Sequence, residues 1–443
     1  MARTAVAPAW LHLFWSAPLE ESKEFTPEDP LALDYLAQQV GNWLLPGFTT
    51  RTSRANYYMV VLYGLGIAER ALTERRQVPT DEALLEAFER FERFWAMAVL
   101  HSFGGSPPGD ETMRGIRGAK RAYPGDVDAF PLDYDLISRQ TELGGLGAYL
   151  TSLRHFRLVE EGGLRLTGPG RELAGHFFFS PGENKFESQY QGYVGAAMEP
   201  DAREVPAKLG AVRLLTVGEA MRLGRIRERK GVQDQLHNIL FESAPTLRTR
   251  EMGRVLVDAA TAGVHDAPSL LGKVATGGFG ASEDLQQTAI LACRFSELAT
   301  SLRRVFDAGY QLVASRSFSA PLVEAAGSVE EEAAAVQEGA RRFLATAHSS
   351  KVATLPVHGA AFIQLCRQVE SAAPQDMLRA LLVFHDRVQK ERKRGRGWLR
   401  VAGDSVAAEL ATYSTATLEP NQWRYDFKVG AVRSILEDLG RLA

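Results

Sequence analysis

Long apolar stripes at helical spacing constrain the fold of this chain more than any other sequence feature. Leu84, Phe88, Phe91, Trp95 and Val99 recur every three or four residues and therefore share one face of an amphipathic helix. Comparable stripes precede this segment and return beyond residue 205. The pattern predicts a mainly α, multi-helical protein with a mixed α/β module near the centre of the chain.

Composition excludes several classes of protein. The 443 residues are 45% apolar and 24% charged, as in globular domains and unlike disordered or fibrous chains. Two cysteines, Cys293 and Cys366, are too few for a disulfide framework or a cysteine-based zinc site, and we expect both to be reduced core residues. No apolar run has the length of a membrane span. We therefore expect a cytoplasmic protein that needs no metal or cofactor and does not contact a membrane.

Changes in composition divide the chain into five segments. Residues 1–103 are expected to be an N-terminal helical domain, in which the apolar stretch 5–15 is interpreted as a packed segment and not as a signal peptide. Residues 104–135 are rich in Gly, Pro and Asp, which predicts an irregular linker or functional loop. The remaining predicted segments are the mixed module at 136–180, a helical domain at 181–385, and a basic loop with a small C-terminal unit at 386–443.

The mixed module has the clearest local pattern in the chain. A leucine-rich stripe over 143–156 ends in Leu-Val, Glu-Glu-Gly-Gly follows at 160–163, and Leu-Arg-Leu-Thr comes next at 164–167. This order predicts a helix, two short strands joined by a tight turn, and a helix capped by threonine. About forty residues thus resemble the recognition helix and wing of winged-helix proteins.

The winged-helix resemblance implies a way of binding DNA. In such proteins the second helix lies in the major groove and the wing contacts the backbone. The predicted contacts to phosphates or bases are then Arg154, His155, Arg157 and Arg165. Winged helices also dock proteins, and the acidic Glu160 and Glu161 oppose a nearby phosphate, so protein docking stays open as the alternative.

Basic runs supply a second candidate for nucleic-acid binding. The net charge of −3 means that any such binding must come from a local basic surface. A shorter run at 222–230 is more consistent with an ordinary solvated surface. The denser run, at 390–400, could neutralise phosphates and stack a base on its tryptophan, or it could be a solvated helix end that leads into a glycine turn. Its candidate contacts are Lys390, Arg392, Lys393, Arg394, Arg396 and Trp398, with Arg400 beside them.

The segment 44–58 reads Leu-Leu-Pro-Gly-Phe-Thr-Thr-Arg-Thr-Ser-Arg-Ala-Asn-Tyr-Tyr. Arg51 and Arg54 lie at the start of a predicted helix, where an anion or an acidic partner is favoured; the alternative is a helix start with structural hydrogen bonds only. The segment resembles the opening of a family of large bacterial proteins, although Asn56 stands where those have a basic residue. The resemblance implies a setting of DNA processing or phage defence and no particular activity.

Signatures of catalysis are missing from the sequence. Gly272-Lys273 is not followed by Ser or Thr, and 277–280 does not follow a strand, so neither is a nucleotide-binding motif. No His-Glu-x-x-His or Gly-x-Ser-x-Gly sequence is present. The acids of the Gly-rich segment, which could serve a metal-dependent nuclease, are Asp126, Asp128, Asp133 and Asp135.

These observations favour a non-enzymatic, DNA-associated subunit of a bacterial defence or DNA-maintenance complex. Its expected partners are DNA and other protein subunits. A protein–protein adaptor without DNA contact and a metal-dependent nuclease remain the alternatives.

Overall fold

The structure, a computed structural model, describes residues 29–178, 189–392, 395–410, 413, 415 and 423–442. Helices dominate, and the strands form small antiparallel sheets, which confirms the prediction of a mainly helical protein. Within these described ranges, no helix combines the length and the apolar character needed to cross a membrane. The predicted packed segment at 5–15 lies outside the described residues.

The chain divides into two compact units. One comprises Asn42–Leu270 and Lys428–Ala443; we call it the motif unit, because it contains the 44–58 segment. The other comprises Met1–Gly41 and Leu271–Phe427, and we call it the long-helix unit. These boundaries differ from the five compositional segments, because the C-terminal helix belongs with residues 42–270.

The described residues up to 275 contain twelve α-helices and three shorter helical turns. Short 3-10 turns lie at Gly109–Glu111 and Leu223–Glu228, and a π-helical turn lies at Asn238–Glu242. The α-helices are α1 (Leu33–Leu44), α2 (Ala55–Glu74), α3 (Asp81–Ser102), α4 (Ile116–Ala122), α5 (Gln140–Leu143), α6 (Gly145–His155), α7 (Gly168–Gly175), α8 (Gln189–Ala197), α9 (Leu214–Ala220), α10 (Lys230–His237), α11 (Leu247–Thr261) and α12 (Ala267–Ala275).

Two long helices, α2 and α3, form the centre of the motif unit. The predicted stripe from Leu84 to Val99 is buried, with each of its five side chains at most 1% exposed. The hydroxyl of Thr80 caps α3 by accepting a hydrogen bond from an amide of the first turn at 3.3 Å. A glycine brings the helices together, since a Cβ on Gly64 would lie 2.4 Å from the ring of Phe91.

Small antiparallel ribbons complete the motif unit. In the segment predicted to be irregular, α4 and strand β1 (Ala129–Pro131) are both regular, and β1 pairs with β2 (Glu204–Pro206). A second ribbon pairs β3 (Lys208–Leu209) with β4 (Val212–Arg213). The partner of β1 is more than seventy residues away in sequence, so no local pattern indicates the pairing.

The long-helix unit is arranged around one helix of 33 residues. Inside it the carboxylate of Asp307 accepts hydrogen bonds from Arg303 Nε at 2.9 Å and from the Tyr413 hydroxyl at 2.6 Å. Cys366 is buried and Cys293 is half-buried, and both are free thiols. The helices are α13 (Glu283–Ser315), α14 (Leu322–Gly327), α15 (Glu330–Leu344), α16 (Ser349–Ala353), α17 (Gly359–Val369) and α18 (Pro374–Glu391), with a further helix, α19 (Val429–Asp438), in the motif unit.

A three-stranded sheet belongs to the long-helix unit. Its strands are β5 (Ser319–Pro321), β6 (Leu399–Ala402) and β7 (Ser405–Ala408), in the spatial order β5-β7-β6. Strands β6 and β7 pair as an antiparallel hairpin. The third strand, β5, joins it from a distant part of the chain.

Candidate functional site

Most of the 44–58 segment is used to build the fold. Gly47 has a φ of +83°, and a Cβ there would lie 2.2 Å from the imidazole of His155, so only glycine fits. The ring of Phe48 lies 5.1 Å from that of Phe156 and 5.4 Å from that of Phe241, measured between centroids. These contacts place the loop between α1 and α2 inside the core of the motif unit.

Arg54 is engaged by a carboxylate of the same unit. Its Nε donates to Asp438 Oδ2 at 2.9 Å, and the amide of Ala55 donates to the same oxygen at 3.1 Å. Arg227 Nη2 lies 3.0 Å from the other oxygen, and the Asp438 side chain is only 2% exposed. The anion expected at Arg54 is therefore an internal one, and Arg54 is not retained as a contact for an external ligand.

The two tyrosines of the segment also make internal contacts. The hydroxyl of Tyr57 accepts a hydrogen bond from the Arg114 amide at 2.8 Å, and that of Tyr58 is 2.6 Å from Ser152 Oγ. Both rings are buried. Because burial disfavours the phenolate, the pKa of each hydroxyl is raised above its usual value, and both side chains stay neutral.

A buried carboxyl group lies in the same region. Glu92 of α3 is 1% exposed and accepts hydrogen bonds from Gln140 Nε2, at 2.8 Å, and from the amide of Gly145. Burial raises the pKa of Glu92 to about 7, although these two donors favour the charged form. Glu92 thus connects α3 with the starts of α5 and α6 and changes charge near neutral pH.

Arg51 differs from the other polar residues of the segment. Its backbone is fixed, since its amide donates to Thr49 Oγ1 at 3.1 Å and its carbonyl accepts from Arg114 Nη2 at 3.2 Å. Its side chain is exposed, and among the described residues its guanidinium has neither an ion pair nor a hydrogen bond. Arg51 is therefore available to an external anion.

More exposed cations follow on α4. Arg117, Lys120 and Arg121 are exposed and lie three and four residues apart, so they share one face of the helix. The opposite face is buried, and a Cβ on Gly118 would lie 2.1 Å from the carbonyl oxygen of Leu136. Within the described residues no carboxylate pairs with these three cations.

Arg51 and α4 are joined by Arg114. Its guanidinium donates to the carbonyl oxygens of Arg51 and Leu143, each at 3.2 Å, so its charge lies between the loop and the start of α4. Residues 112–122 include four basic residues and no acid. We define the basic face of the motif unit as Arg51, Arg114, Arg117, Lys120 and Arg121.

The predicted recognition helix is mostly buried in the motif unit. Thr151 is the one fully exposed residue of α6, whereas groove recognition needs several side chains that point outward. Arg154 Nη2 donates to the carbonyl of Gly163 at 2.9 Å. The ring of His155 packs on Gly47, and burial lowers its pKa, with the charge of Lys428 adding to the effect.

The predicted wing is docked on the start of α3. It contains a single bridge between Val159 and Leu166. The amide of Leu164 donates to Asp81 Oδ1 at 3.0 Å, and Arg165 Nη2 donates to the Pro79 carbonyl at 3.3 Å. Of the four predicted winged-helix contacts, only Arg157 is exposed without a side-chain partner in the described part of the chain.

The basic run of the long-helix unit is largely neutralised. Arg392 Nη2 lies 2.8 Å from Asp29 Oδ2, and Lys390 Nζ lies 2.6 Å from Asp386 Oδ2. Glu409 Oε1 lies 2.7 Å from a nitrogen of each of two arginines. These are Arg396 and Arg400, whereas Lys393 and Arg394 lie outside the described residues.

The predicted stacking role of Trp398 is not retained. The residue is 5% exposed, and its ring packs edge-on against those of Phe306 and Tyr310, with centroids at 5.4 and 5.7 Å. A base needs an open face of the indole. Burial in this aromatic cluster leaves no such face.

The shorter run at 222–230, interpreted from the sequence as an ordinary solvated surface, makes contacts within the motif unit. Arg222 Nε donates to Ser102 Oγ at 3.0 Å, and Arg225 pairs with Glu228. No group of three His, Cys, Asp or Glu side chains that could hold a metal ion occurs among the described residues. The acids of the 104–135 segment therefore form no such ligand set.

Four members of the basic face, Arg114, Arg117, Lys120 and Arg121, were not among the residues predicted from the sequence. The signal that could have found them is the run of four basic residues without an acid at 112–122. Its glycines favoured a loop, which concealed the helical spacing of the charges. In comparisons with protein families, curated proteins and solved structures, nothing matches this chain.

Proposed function

We propose that the chain is a DNA-associated protein that contacts the phosphate backbone through the basic face of the motif unit. One observation carries the proposal: Arg117, Lys120 and Arg121 lie exposed on one face of α4, without a carboxylate partner in the described residues. Arg51 extends this surface beyond the helix through the contact between its carbonyl and Arg114.

The charge distribution supports a polyanion as the ligand. The whole chain has a formal charge of −3, so a group of unpaired cations stands out against a near-neutral background. Phosphate contacts by Lys and Arg release counterions, and each contact contributes about 0.9 to the slope of log affinity against log salt. Such contacts position a protein on the backbone and do not read sequence, so we expect binding with little sequence preference.

The winged-helix module belongs to this proposal in a structural role. The order of α6, the turn-joined residues 158–167 and α7 supports the proposed module, and Thr167 caps α7 as the sequence predicted, with Gly170 N donating at 3.3 Å. Its helix faces the core and its wing contacts α3. We propose that the module holds the motif unit together and does not read a groove.

The proposed setting is a complex in bacterial defence or DNA maintenance, with other protein subunits as partners. The resemblance of the 44–58 segment to the family of large bacterial proteins supports this setting. The contacts described for that segment give its side chains a structural role, and Arg51 is the exception. We propose no catalytic role.

The test is DNA binding by the purified full chain across a salt series, with duplex and single-stranded DNA, with and without Mg²⁺. The triple variant Arg117→Ala/Lys120→Ala/Arg121→Ala should bind at least about tenfold more weakly at low salt, and its salt slope should be smaller by about 2.7. The matched control is Lys390→Ala/Arg396→Ala/Arg400→Ala, which removes equal charge from the paired run and should bind like the parent.

Each other outcome has a defined meaning. Equal loss in both triple variants would show that net charge matters and not the basic face, and would overturn the proposal. No salt-sensitive binding by the parent chain would favour the protein adaptor. Cleavage that requires Mg²⁺ would favour the nuclease.

A further inference from the structure

A cleft of about 490 Å³ opens in the motif unit at the end of the basic face. Its walls come from α3, the end of α4 and the segment that leads into α5. Arg121 lines the cleft and also belongs to the basic face. A strand whose phosphates follow the basic face can therefore reach the cleft without leaving the cationic surface.

Two further guanidinium groups line the cleft, and one of them is held in place. Arg93 Nε donates to the Leu132 carbonyl at 3.0 Å and its Nη1 to Gln140 Oε1 at 3.4 Å, and the Tyr134 hydroxyl donates to the Arg93 carbonyl at 2.6 Å. Nη2 takes part in none of these bonds. Arg93, which lines the cleft, is therefore held in a fixed position.

The second guanidinium belongs to Arg139. This residue has a φ of +52° directly before α5, and among the described residues its side chain forms one ion pair, with Glu142 at 3.0 Å. Both partners are more than 60% exposed, so the pair is weak and an anion can replace it.

The residues that line the cleft have a positive net charge, because three arginines outnumber two acids. Glu89 and Asp135 face three arginines, and Glu89 already accepts a hydrogen bond from Thr141 Oγ1 at 2.7 Å. Arginine forks match the oxygens of a phosphate group in a bidentate geometry. The volume is within the range of small-ligand sites, about 300–1,000 Å³.

We propose that this cleft binds a terminal phosphate, the phosphomonoester end of a nucleic-acid strand that lies on the basic face. The proposal rests on the proposed function, since it uses the same surface to deliver the strand. A terminal phosphate has more charge than an internal one, because its second ionisation lies near pH 6, as for a phosphate monoester on a protein side chain. It also presents three oxygens to the arginines of the cleft.

The experiment compares one oligonucleotide in three forms, with a 5′-phosphate, with a 3′-phosphate and with hydroxyl ends, on the full chain at one salt concentration. One phosphorylated form should bind about tenfold more tightly than the hydroxyl form, which corresponds to about 1.4 kcal/mol. Arg139→Gln should remove this ratio. Arg117→Ala, outside the cleft, should weaken all forms equally and keep the ratio. Thermal unfolding confirms that both variants fold.

The outcomes separate this inference from the proposed function. Salt-sensitive binding of all three forms with equal affinity would overturn the proposal that the cleft binds a terminal phosphate, and it would still support DNA binding by the basic face. If no oligonucleotide binds, a titration with thymidine monophosphate tests phosphate binding by the cleft on its own. Binding that Arg139→Gln abolishes would support a free nucleotide as the source of the phosphate. No binding would overturn the proposal that the cleft binds a phosphate.

Discussion

Two basic segments of the chain behave in opposite ways. The run at 390–400 has six cations in eleven residues, and the run at 112–122 has four in eleven. In the denser run, each described cation is paired with a carboxylate, whereas none of the four cations of the sparser one has a carboxylate partner among the described residues. The difference shows that the density of basic residues along the sequence does not predict whether the fold leaves their charge unpaired.

The two runs differ in ion pairing because the nearest acidic side chains contact different partners. Asp29, Asp386 and Glu409 come from separate parts of the chain to the denser run. Asp110 and Glu111 are the acids next to the sparser run, but Asp110 pairs with Arg227, at 3.3 Å, and Glu111 accepts from the Gly224 amide, at 2.9 Å. The fold thus supplies acids to one run and directs them away from the other.

The largest effect is expected at the buried carboxylate of Asp438, which is paired with two arginines. Asp438→Ala removes the carboxylate that holds Arg54 and Arg227 and should lower the free energy of unfolding by about 3–5 kcal/mol, as for a buried pair that loses one partner. Denaturant unfolding measures the change. Asp438→Asn keeps one acceptor oxygen and should lower the free energy of unfolding by less. An Asp438→Ala chain as stable as the parent would contradict the structural role assigned to Arg54.

The next effect is a dependence of stability on pH. The folded pKa of Glu92 is about 7 and its usual value is 4.5, so the folded state binds the proton more tightly than the unfolded state. The contribution to stability is therefore complete below about pH 4.5 and is lost as pH rises through 7, with a slope of at most about 1.4 kcal/mol per pH unit.

Denaturant unfolding between pH 5 and pH 8 tests this dependence. Stability should fall with rising pH in the parent chain, and the Glu92→Gln variant should show a flatter profile over the same range. Parallel profiles in the two proteins would assign the pH dependence to other groups.

The smallest expected effect is a change in DNA affinity when a cation of the 390–400 run loses its carboxylate partner, which tests the comparison with the 112–122 run. Glu409→Gln removes the partner of Arg396 and Arg400 and should convert part of the paired run into free cations. Affinity for DNA at low salt should rise up to about fivefold, the equivalent of an exposed ion pair. Glu370→Gln, which removes a carboxylate of the same unit that has no ion pair in the described residues, is the control and should leave affinity unchanged. Equal gains in both would indicate only the change in net charge.

Local sequence patterns predicted the helices and caps of this fold better than they predicted the tertiary contacts between them. The stripe at 84–99 and the cap at Thr167 depend on neighbouring residues, and the structure contains both. The pairing of β1 with β2 and the bond of Arg54 to Asp438, 384 residues away, depend on the tertiary fold. No spacing along the sequence indicates either one.

The candidate site was predicted only in part for the same reason. Arg51 was found because it lies in a recognisable segment. Its guanidinium is available because it has no partner among the described residues, which only the fold decides. Arg154 and Trp398 have suitable chemistry, but the fold buries or engages them. The helix α4 was missed because the glycines of the segment 104–135 suggested a loop, whereas Gly118 allows α4 to pack closely against the Leu136 carbonyl.

Chemical protection of cations by bound DNA tests the central claim most directly. The full chain, with and without duplex DNA at low salt, would be treated with an arginine-selective dicarbonyl reagent and a lysine acylating reagent and read by mass spectrometry. We expect DNA to protect Arg51, Arg117, Lys120 and Arg121 and to leave the reactivity of Arg396 and Arg400 unchanged. Protection of Arg396 and Arg400, with α4 still fully reactive, would contradict the account.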